Sequence, residues 1–139
     1  MSATSAVTGE PFVAEGVHDG ILWRIRLSPF KNSANAYVQL PPGHPWADVS
    51  YESLDEAGVI AHGGLTYGPD GDGWLGFDTA HAWDVWTEAA LAEIGGEHDP
   101  RFIFHLPGGT GNTYWSLNLL VSEVQNLAAQ AALAQAVNS

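Results

Sequence analysis

The sequence predicts an α+β domain in which a mostly antiparallel sheet of about five strands carries a long C-terminal helix on one face. Two patterns lead to this fold class. Short segments bounded by Gly and Pro alternate apolar and polar residues, which is typical of antiparallel strands with one buried face. From Thr113 to about Ala136, apolar residues instead recur at intervals of three and four without a Gly or Pro, and this spacing predicts one amphipathic helix.

The composition is that of one acidic domain. The chain has 139 residues, of which 45% are hydrophobic, and this is enough for one core. Residues 1–10 are small and polar and predict a flexible N-terminus before a single domain at 11–139. The net charge of −12 argues against nucleic acid as a direct partner, because almost no side chain could neutralise phosphates. It is compatible with binding cations or docking to a basic protein surface.

The first part of the chain predicts a β-hairpin preceded by a short strand from Pro11 to Val17. After Gly20, the segment ILWRIRL alternates large apolar residues with two arginines, so we expect a half-buried strand. A second strand is predicted from Asn35 to Leu40, because the next residues, Pro41-Pro42-Gly43, stop a strand. From His44 to Gly58 we expect a loop with a helical turn near Ser53–Ala57.

Five elements are predicted in the rest of the chain. They are central strands at 59–67 and 73–79, a short helix from Val85 to Ile94, a strand from Arg101 to His105, and the C-terminal helix. We expect Asp84 to cap the short helix and Gly95-Gly96 to end it. Asn112 or Thr113 is expected to cap the long helix. Its predicted apolar positions are Leu117, Leu120, Val121, Val124, Leu127, Ala128 and Ala131.

The two central strands are predicted to form a hairpin with a defined register. Gly68-Pro69-Asp70-Gly71 has the pattern of a type I turn, with Pro at its second position. A three-residue loop, Pro69-Asp70-Gly71, would pair Gly68 with Asp72. Counting back along both strands then sets Thr66 opposite Trp74 and His62 opposite Asp78. All four side chains would share one face of the hairpin.

Four residues around this hairpin are candidates for chemistry: His62, Asp78, His81 and Asp84. Imidazole and carboxylate are the groups of a general base with an orienting partner, which gives His62 and Asp78 a catalytic role. His81 and Asp84 would serve as metal ligands or acid in an enzyme. Their spacing matches no dedicated metal motif, and the sequence indicates no particular cofactor. The alternative is structural: a hydrogen-bonded His–Asp pair and a cap for the next helix.

Ligand-binding candidates surround the same region. Trp residues can stack on a planar ligand or anchor a protein interface, and His44 stands beside Trp46, which could wall a pocket. Trp23 and Trp115 are expected in the core because they fall on apolar faces. The predicted ligand-binding residues are therefore His44, Thr66, Trp74, Trp83 and Trp86.

Several stretches resemble an uncharacterised family of small proteins from actinobacteria and tailed phages. The matching segments are AYVQLPPGHPW, IAHGGLTYG, WLGFDTAHAWD and SEVQNLAAQ, which lie within residues 34–84 and 113–130. This chain has Thr79 and Trp83 where typical members are expected to have Cys and Gly, so it lacks a thiol nucleophile at that position. The resemblance implies a mobile-element context and directs attention to His44, His62, Asp78, His81 and Asp84.

These observations lead to three functional hypotheses. The first is a phage- or prophage-type accessory protein, with counter-defence as one role, that binds a host protein or a small nucleotide-like ligand through the His, Asp and Trp residues at 59–84. The second is a small hydrolase or metal-dependent enzyme using His62, Asp78, His81 and Asp84. The third is a structural homo-oligomer with a Trp-rich interface. No signal peptide or membrane span is predicted, so the expected location is the cytoplasm, that of the host if the protein is phage-encoded.

Overall fold

A computed structural model describes residues 11–81, 83–97 and 112–137, and over these ranges it confirms the α+β fold. A four-stranded antiparallel sheet has the order β1-β2-β3-β4, and a separate parallel pair joins β5 to β6. The strands are β1 (Phe12–His18), β2 (Ile21–Leu27), β3 (Ala34–Gln39), β4 (Trp74–Phe77), β5 (Asp84–Val85) and β6 (Thr113–Tyr114). The helices are α1 (Tyr51–Glu56), α2 (Glu88–Glu93) and α3 (Leu117–Val137).

The predicted N-terminal strands and hairpin are confirmed as β1, β2 and β3. In β2 every second residue from Ile21 to Leu27 is buried, as the alternation in the sequence predicts. The buried side chains form the main core, where α3 contacts β2 and β3. The opposite face of the sheet carries Arg24, whose guanidinium bonds Glu15 at 3.1 Å and lies 5.0 Å from the ring of Trp74.

The long helix is confirmed, but it begins later than predicted. Its buried residues are Leu120, Val124, Leu127, Ala128 and Ala131, all on the predicted apolar face. The cap is Ser116, whose Oγ accepts the backbone N–H of Leu119 at 3.1 Å. Asn112 and Thr113 are not the cap, because Thr113 belongs to β6 and its N–H donates to the carbonyl of Trp83 at 2.8 Å.

The predicted central hairpin is wrong in its first strand and in its register. Residues 59–66 form no strand, and pairing is limited to one bridge between Tyr67 and Gly76. The turn lies at Asp70–Gly73, two residues later than predicted, where the N–H of Gly73 donates to the carbonyl of Asp70 at 3.0 Å. The Asp70 carboxylate accepts the N–H groups of Asp72 and Trp74, and an Asp side chain commonly closes a turn in this way.

The first short helix lies at its predicted segment, whereas the second begins three residues later than predicted, because Asp84–Val85 form β5. The helical turn expected near 53–57 is α1, which Ser50 caps by accepting the N–H of Ser53 at 3.3 Å. For α2 the cap is Thr87 rather than Asp84, and the positive φ of Gly95 ends the helix as predicted.

Two predictions lie outside the described residues, namely the flexible segment 1–10 and the strand Arg101–His105. Across the parts of the chain that are described, no helix has both the length and the apolar character needed to cross a bilayer.

Candidate functional site

A buried carboxylate, that of Asp84, collects four hydrogen bonds and defines what we call the Asp84 cluster: Asp84, His62, His81 and Trp115. Its Oδ1 accepts from His62 Nε2 at 2.8 Å and from the indole N–H of Trp115 at 2.9 Å. Its Oδ2 accepts from the backbone N–H of His81 at 2.9 Å and from His81 Nδ1 at 2.8 Å. The Asp84 side chain has 0% exposure, so these protein groups replace water completely.

The hydrogen bonds keep this buried carboxyl in its charged form. Burial by itself raises the pKa of Asp84, since a charge is less stable away from water. The donors, first the Trp115 indole and then the backbone and side chain of His81 and the side chain of His62, act in the opposite direction. Their combined effect holds the pKa of Asp84 below its ordinary value, so the cluster contains an anion at neutral pH.

Local backbone structure places Asp84 between its partners. The N–H of Asp84 donates to the carbonyl of His81 at 2.9 Å, and this tight turn brings the carboxylate back to the N–H of His81. Pairing of Asp84 with Thr113 in the β5–β6 ladder places Trp115 beside the same carboxylate. The cluster thus joins segments that are 31 residues apart in the sequence.

His62 is presented by a tight turn whose glycine is required. The N–H of Gly64 donates to the carbonyl of Ala61 at 2.9 Å, and Gly63 at the third turn position has a φ of +68°. A Cβ on Gly63 would lie 2.6 Å from Cε1 of His81, so a side chain here would strike the second histidine. The Gln130 side chain of α3 holds the start of this loop, through two hydrogen bonds of 2.8 and 2.7 Å to the backbone of Ile60.

The outer side of the cluster is formed by three side chains that we call the Trp83 patch: Trp83, His81 and Asp78. The Trp83 ring stacks on His81 with 4.7 Å between centroids and 6° between planes, yet it stays 43% exposed. Asp78, with a side chain 40% exposed, places Oδ1 3.4 Å from His81 Nε2. His81 therefore stands between two carboxylates, the fully buried one of Asp84 and the partly exposed one of Asp78.

The four predicted chemical residues do lie together, but their pairing differs from the prediction. His62 bonds Asp84, not Asp78, and Asp78 approaches His81. The reason is the missing strand at 59–66, because a turn rather than a strand carries His62. The carboxylate that orients His62 is therefore that of Asp84 and not that of Asp78.

The predicted ligand-binding residues His44, Trp74 and Trp86 lie in the interior. His44 donates from Nε2 to the carbonyl of Ala131 at 2.8 Å and accepts the N–H of Trp46 on Nδ1, so both ring nitrogens are used within the protein. Trp74 is 2% exposed and packs with Tyr37 on the face of the sheet away from α3.

Trp86 and Thr66 complete this set. The Trp86 indole N–H donates to the buried Thr79 hydroxyl at 2.9 Å. Thr66 is exposed, and its backbone N–H donates to the carbonyl of Gly76 in β4 at 2.9 Å. Of the five predicted ligand-binding residues, Trp83 alone belongs to the patch beside His81.

Trp115 is the member of the cluster that the sequence did not single out. It is buried in the core, as predicted, but it also donates to Asp84, and its ring meets His62 edge-on at 4.7 Å. A buried indole N–H requires an acceptor, which is a signal visible in the sequence. The identity of that acceptor depends on the β5–β6 pairing, which the sequence pattern does not reveal.

The described residues show no arrangement for a metal ion. Over 11–81, 83–97 and 112–137, no group of three or more His, Cys, Asp or Glu side chains is placed to hold one. His81 and Asp84, the predicted metal ligands, are instead hydrogen-bonded to each other. The arrangement can orient an imidazole or present a stacked aromatic pair.

Comparison with protein-family models, curated proteins and solved structures gave no match. The resemblance to a family from actinobacteria and tailed phages therefore stays a prediction.

Proposed function

We propose that this protein acts by binding, and that the Trp83 patch docks onto a basic surface of a partner protein. The observation that carries this proposal is the exposed indole of Trp83, which is held flat against the His81 ring. Large exposed aromatics are frequent anchors of protein interfaces. The side chains of this patch are already held in place by a buried hydrogen-bond network, so few of them need to be ordered when a partner binds.

Preorganisation is the energetic reason to favour this patch. His81 is held by its two hydrogen bonds to Asp84, and Trp83 is held by stacking on His81. Immobilising a free side chain on binding costs about 0.5–1.5 kcal/mol, and a side chain already fixed avoids much of that cost. Trp83 therefore resembles an interface anchor more than an indole left in solvent by chance.

Charge indicates the chemistry of the partner. The chain carries 16 acidic and 4 basic side chains, which favours encounter with a positively charged surface. A Lys or Arg of the partner could lie over the indole of Trp83 and near the carboxylate of Asp78. A nucleotide-like ligand fits less well, because Asp78 would repel its phosphate.

The expected biological setting rests on the sequence resemblance alone. If the chain is a phage or prophage accessory protein, its partner is a host protein, and counter-defence is the role that we propose to test.

Photo-crosslinking tests the proposal directly. A photoreactive amino acid at position 83 should capture a host protein, whose affinity is then measured with purified components by calorimetry. We expect Trp83→Ala to weaken binding by at least about tenfold, the effect of losing an interface anchor. Asp78→Asn should weaken it less and reduce its dependence on salt.

Phe30→Ala is the matched control, because Phe30 is another exposed aromatic residue, in the β2–β3 loop. The proposal is overturned if Phe30→Ala and Trp83→Ala weaken binding equally. It is also overturned if the partner binds more tightly as salt rises.

One observation favours a second function, general-base catalysis by His62. Its Nε2 is oriented by the ionised Asp84, and within the described residues its Nδ1 has no hydrogen-bond partner. A carboxylate that orients an imidazole is a common arrangement for activating water. The hydrolase hypothesis therefore keeps His62 as base and takes Asp84, rather than Asp78, as its orienting partner.

A screen with nitrophenyl esters and phosphoesters tests this second function. Turnover by the wild type should fall by about a hundredfold or more in His62→Asn, the typical effect of losing a general base. His18→Asn is the control for trace contamination, because His18 lies on β1 outside the cluster. Equal activity in both variants would contradict catalysis by His62.

A further inference from the structure

A concave site lies apart from the Asp84 cluster, at one end of the sheet. It is a cleft of about 600 Å³ bordered by the β1–β2 turn, the end of β3, the loop that follows β3 and the Asp70–Gly73 turn. None of its lining residues belongs to the Asp84 cluster or to the Trp83 patch. Its volume falls within the range of about 300–1,000 Å³ that is usual for small-molecule sites.

One part of the cleft wall is apolar. Leu22, Leu40, Pro41 and Pro42 line it, and Leu22 stands beside Gln39 in the β2–β3 register. Apolar walls of this kind take up the hydrocarbon part of a ligand, and a few polar groups then fix its orientation.

The other part of the wall is acidic and is held in place. Asp70 accepts the hydroxyl of Tyr67 at 2.7 Å in addition to the two N–H groups of its turn. The carbonyl of Asp72 accepts the Gln39 amide at 3.0 Å, which ties this turn to β3. Asp48 faces the cleft from the loop after β3. Among the described lining residues there is no Lys, Arg or His to balance these carboxylates.

We propose that this cleft binds a small organic cation with an apolar body, such as an aromatic or aliphatic amine. The ammonium group would lie near Asp48 and Asp72, whose carboxylates have no hydrogen bond to protein groups within the described residues. The hydrocarbon part would cover Leu22 and the prolines. An anion would meet three carboxylates there, and a purely apolar ligand would leave those carboxylates uncompensated.

Titration with phenethylamine, followed by the amide NMR signals of Gln39 and Gly71, tests this proposal. We expect saturable shifts with a Kd of about 1 mM or below, as suits a ligand of this size. Phenethyl alcohol has the same shape without the charge and should bind at least about tenfold more weakly. Asp72→Asn and Asp48→Asn should each weaken amine binding by about threefold to fivefold, the usual value of a partly exposed ion pair.

Glu56→Gln is the matched control, because it removes one negative charge from an exposed position outside the cleft. If it weakens binding as much as Asp72→Asn, the effect reflects net charge and the proposal is overturned. Equal binding of amine and alcohol also overturns it. A blocked pentapeptide with one central Lys is titrated in a parallel experiment. If this peptide binds and phenethylamine does not, the proposal of a small-molecule ligand is overturned.

Discussion

At the scale of single residues, Asp84 is the decisive side chain of this protein. A buried carboxylate is costly unless donors replace the water it has lost, and Asp84 has four donors. The same four bonds fix the orientation of His62, His81 and Trp115. One residue therefore sets both the local stability and the geometry of the candidate site.

Asp84→Asn should lower the free energy of unfolding by about 2–4 kcal/mol, because an amide group would oppose donors with its own N–H groups. Urea denaturation at neutral pH measures the change. Glu56→Gln, at an exposed position, is the control and should stay within about 0.5 kcal/mol of the wild type. A loss below about 1 kcal/mol in Asp84→Asn would show that the cluster contributes little to stability.

The stabilisation by Asp84 should depend on pH in a defined direction. Its pKa in the folded state lies below the ordinary value of 3.8, so between these two values the unfolded state binds more protons and stability rises with pH. The contribution is fully present above the unfolded pKa and is lost as the pH falls through the folded pKa. The difference in unfolding free energy between wild type and Asp84→Asn should therefore shrink below about pH 4. A difference that grows on acidification would contradict the assignment.

The residue types of the site could be predicted, but their partners could not. His62, Asp78, His81 and Asp84 stand within a short stretch, and their chemistry suggests mutual contacts. Which carboxylate meets which imidazole depends on angstrom-scale backbone positions. His62 contacts Asp84 because His62 lies in the tight turn from Ala61 to Gly64 rather than in a strand.

At the scale of elements, the loop around Gly63 carries His62 and packs directly against the ring of His81. Its positive φ and its closeness to His81 both require a residue without a Cβ. We therefore expect a substitution that alters the backbone of this loop to displace His62 and His81.

Gly63→Ala should destabilise the protein by about 1–3 kcal/mol and weaken the stacking of Trp83 on His81. Thermal unfolding and the ring-proton NMR shifts of His81 measure these two effects. Gly71→Ala is the control, since a Cβ there meets no atom within 4 Å. An unchanged His81 spectrum in Gly63→Ala would contradict the close contact.

Helix positions were predictable, while their caps were not. The periodic apolar face identified α3, and Thr87 and Ser116 provide caps that local sequence allows. Several neighbouring residues could cap each helix equally well by type. Asp84 and Thr113 cap no helix because they pair with each other in the β5–β6 ladder. This pairing joins segments far apart in the sequence, so local sequence does not reveal it.

At the scale of the whole molecule, the uneven charge is the dominant property. A net charge of −12 on one small domain creates self-repulsion that opposes folding. The same field favours a basic partner for the Trp83 patch and a cationic ligand for the cleft.

Raising NaCl from about 10 mM to about 300 mM at neutral pH should increase the free energy of unfolding, because salt screens this repulsion. Urea denaturation at the two salt concentrations measures the increase. Near the isoelectric point of about 4.5 the same salt step should have little effect, which provides the control. A loss of stability with salt at neutral pH would mean that attractive ion pairs outweigh the repulsion.

Sequence patterns alone predict the fold class, the β1–β3 strands, the long helix and the residue types of the candidate site. These follow from local periodicity and turn chemistry, which act over a few neighbouring residues. Tertiary contacts, by contrast, pair His62 with Asp84, bring Trp115 into the cluster and bury His44 and Trp74. Those outcomes depend on contacts between segments far apart in the chain, where a shift of a few residues in register exchanges every partner.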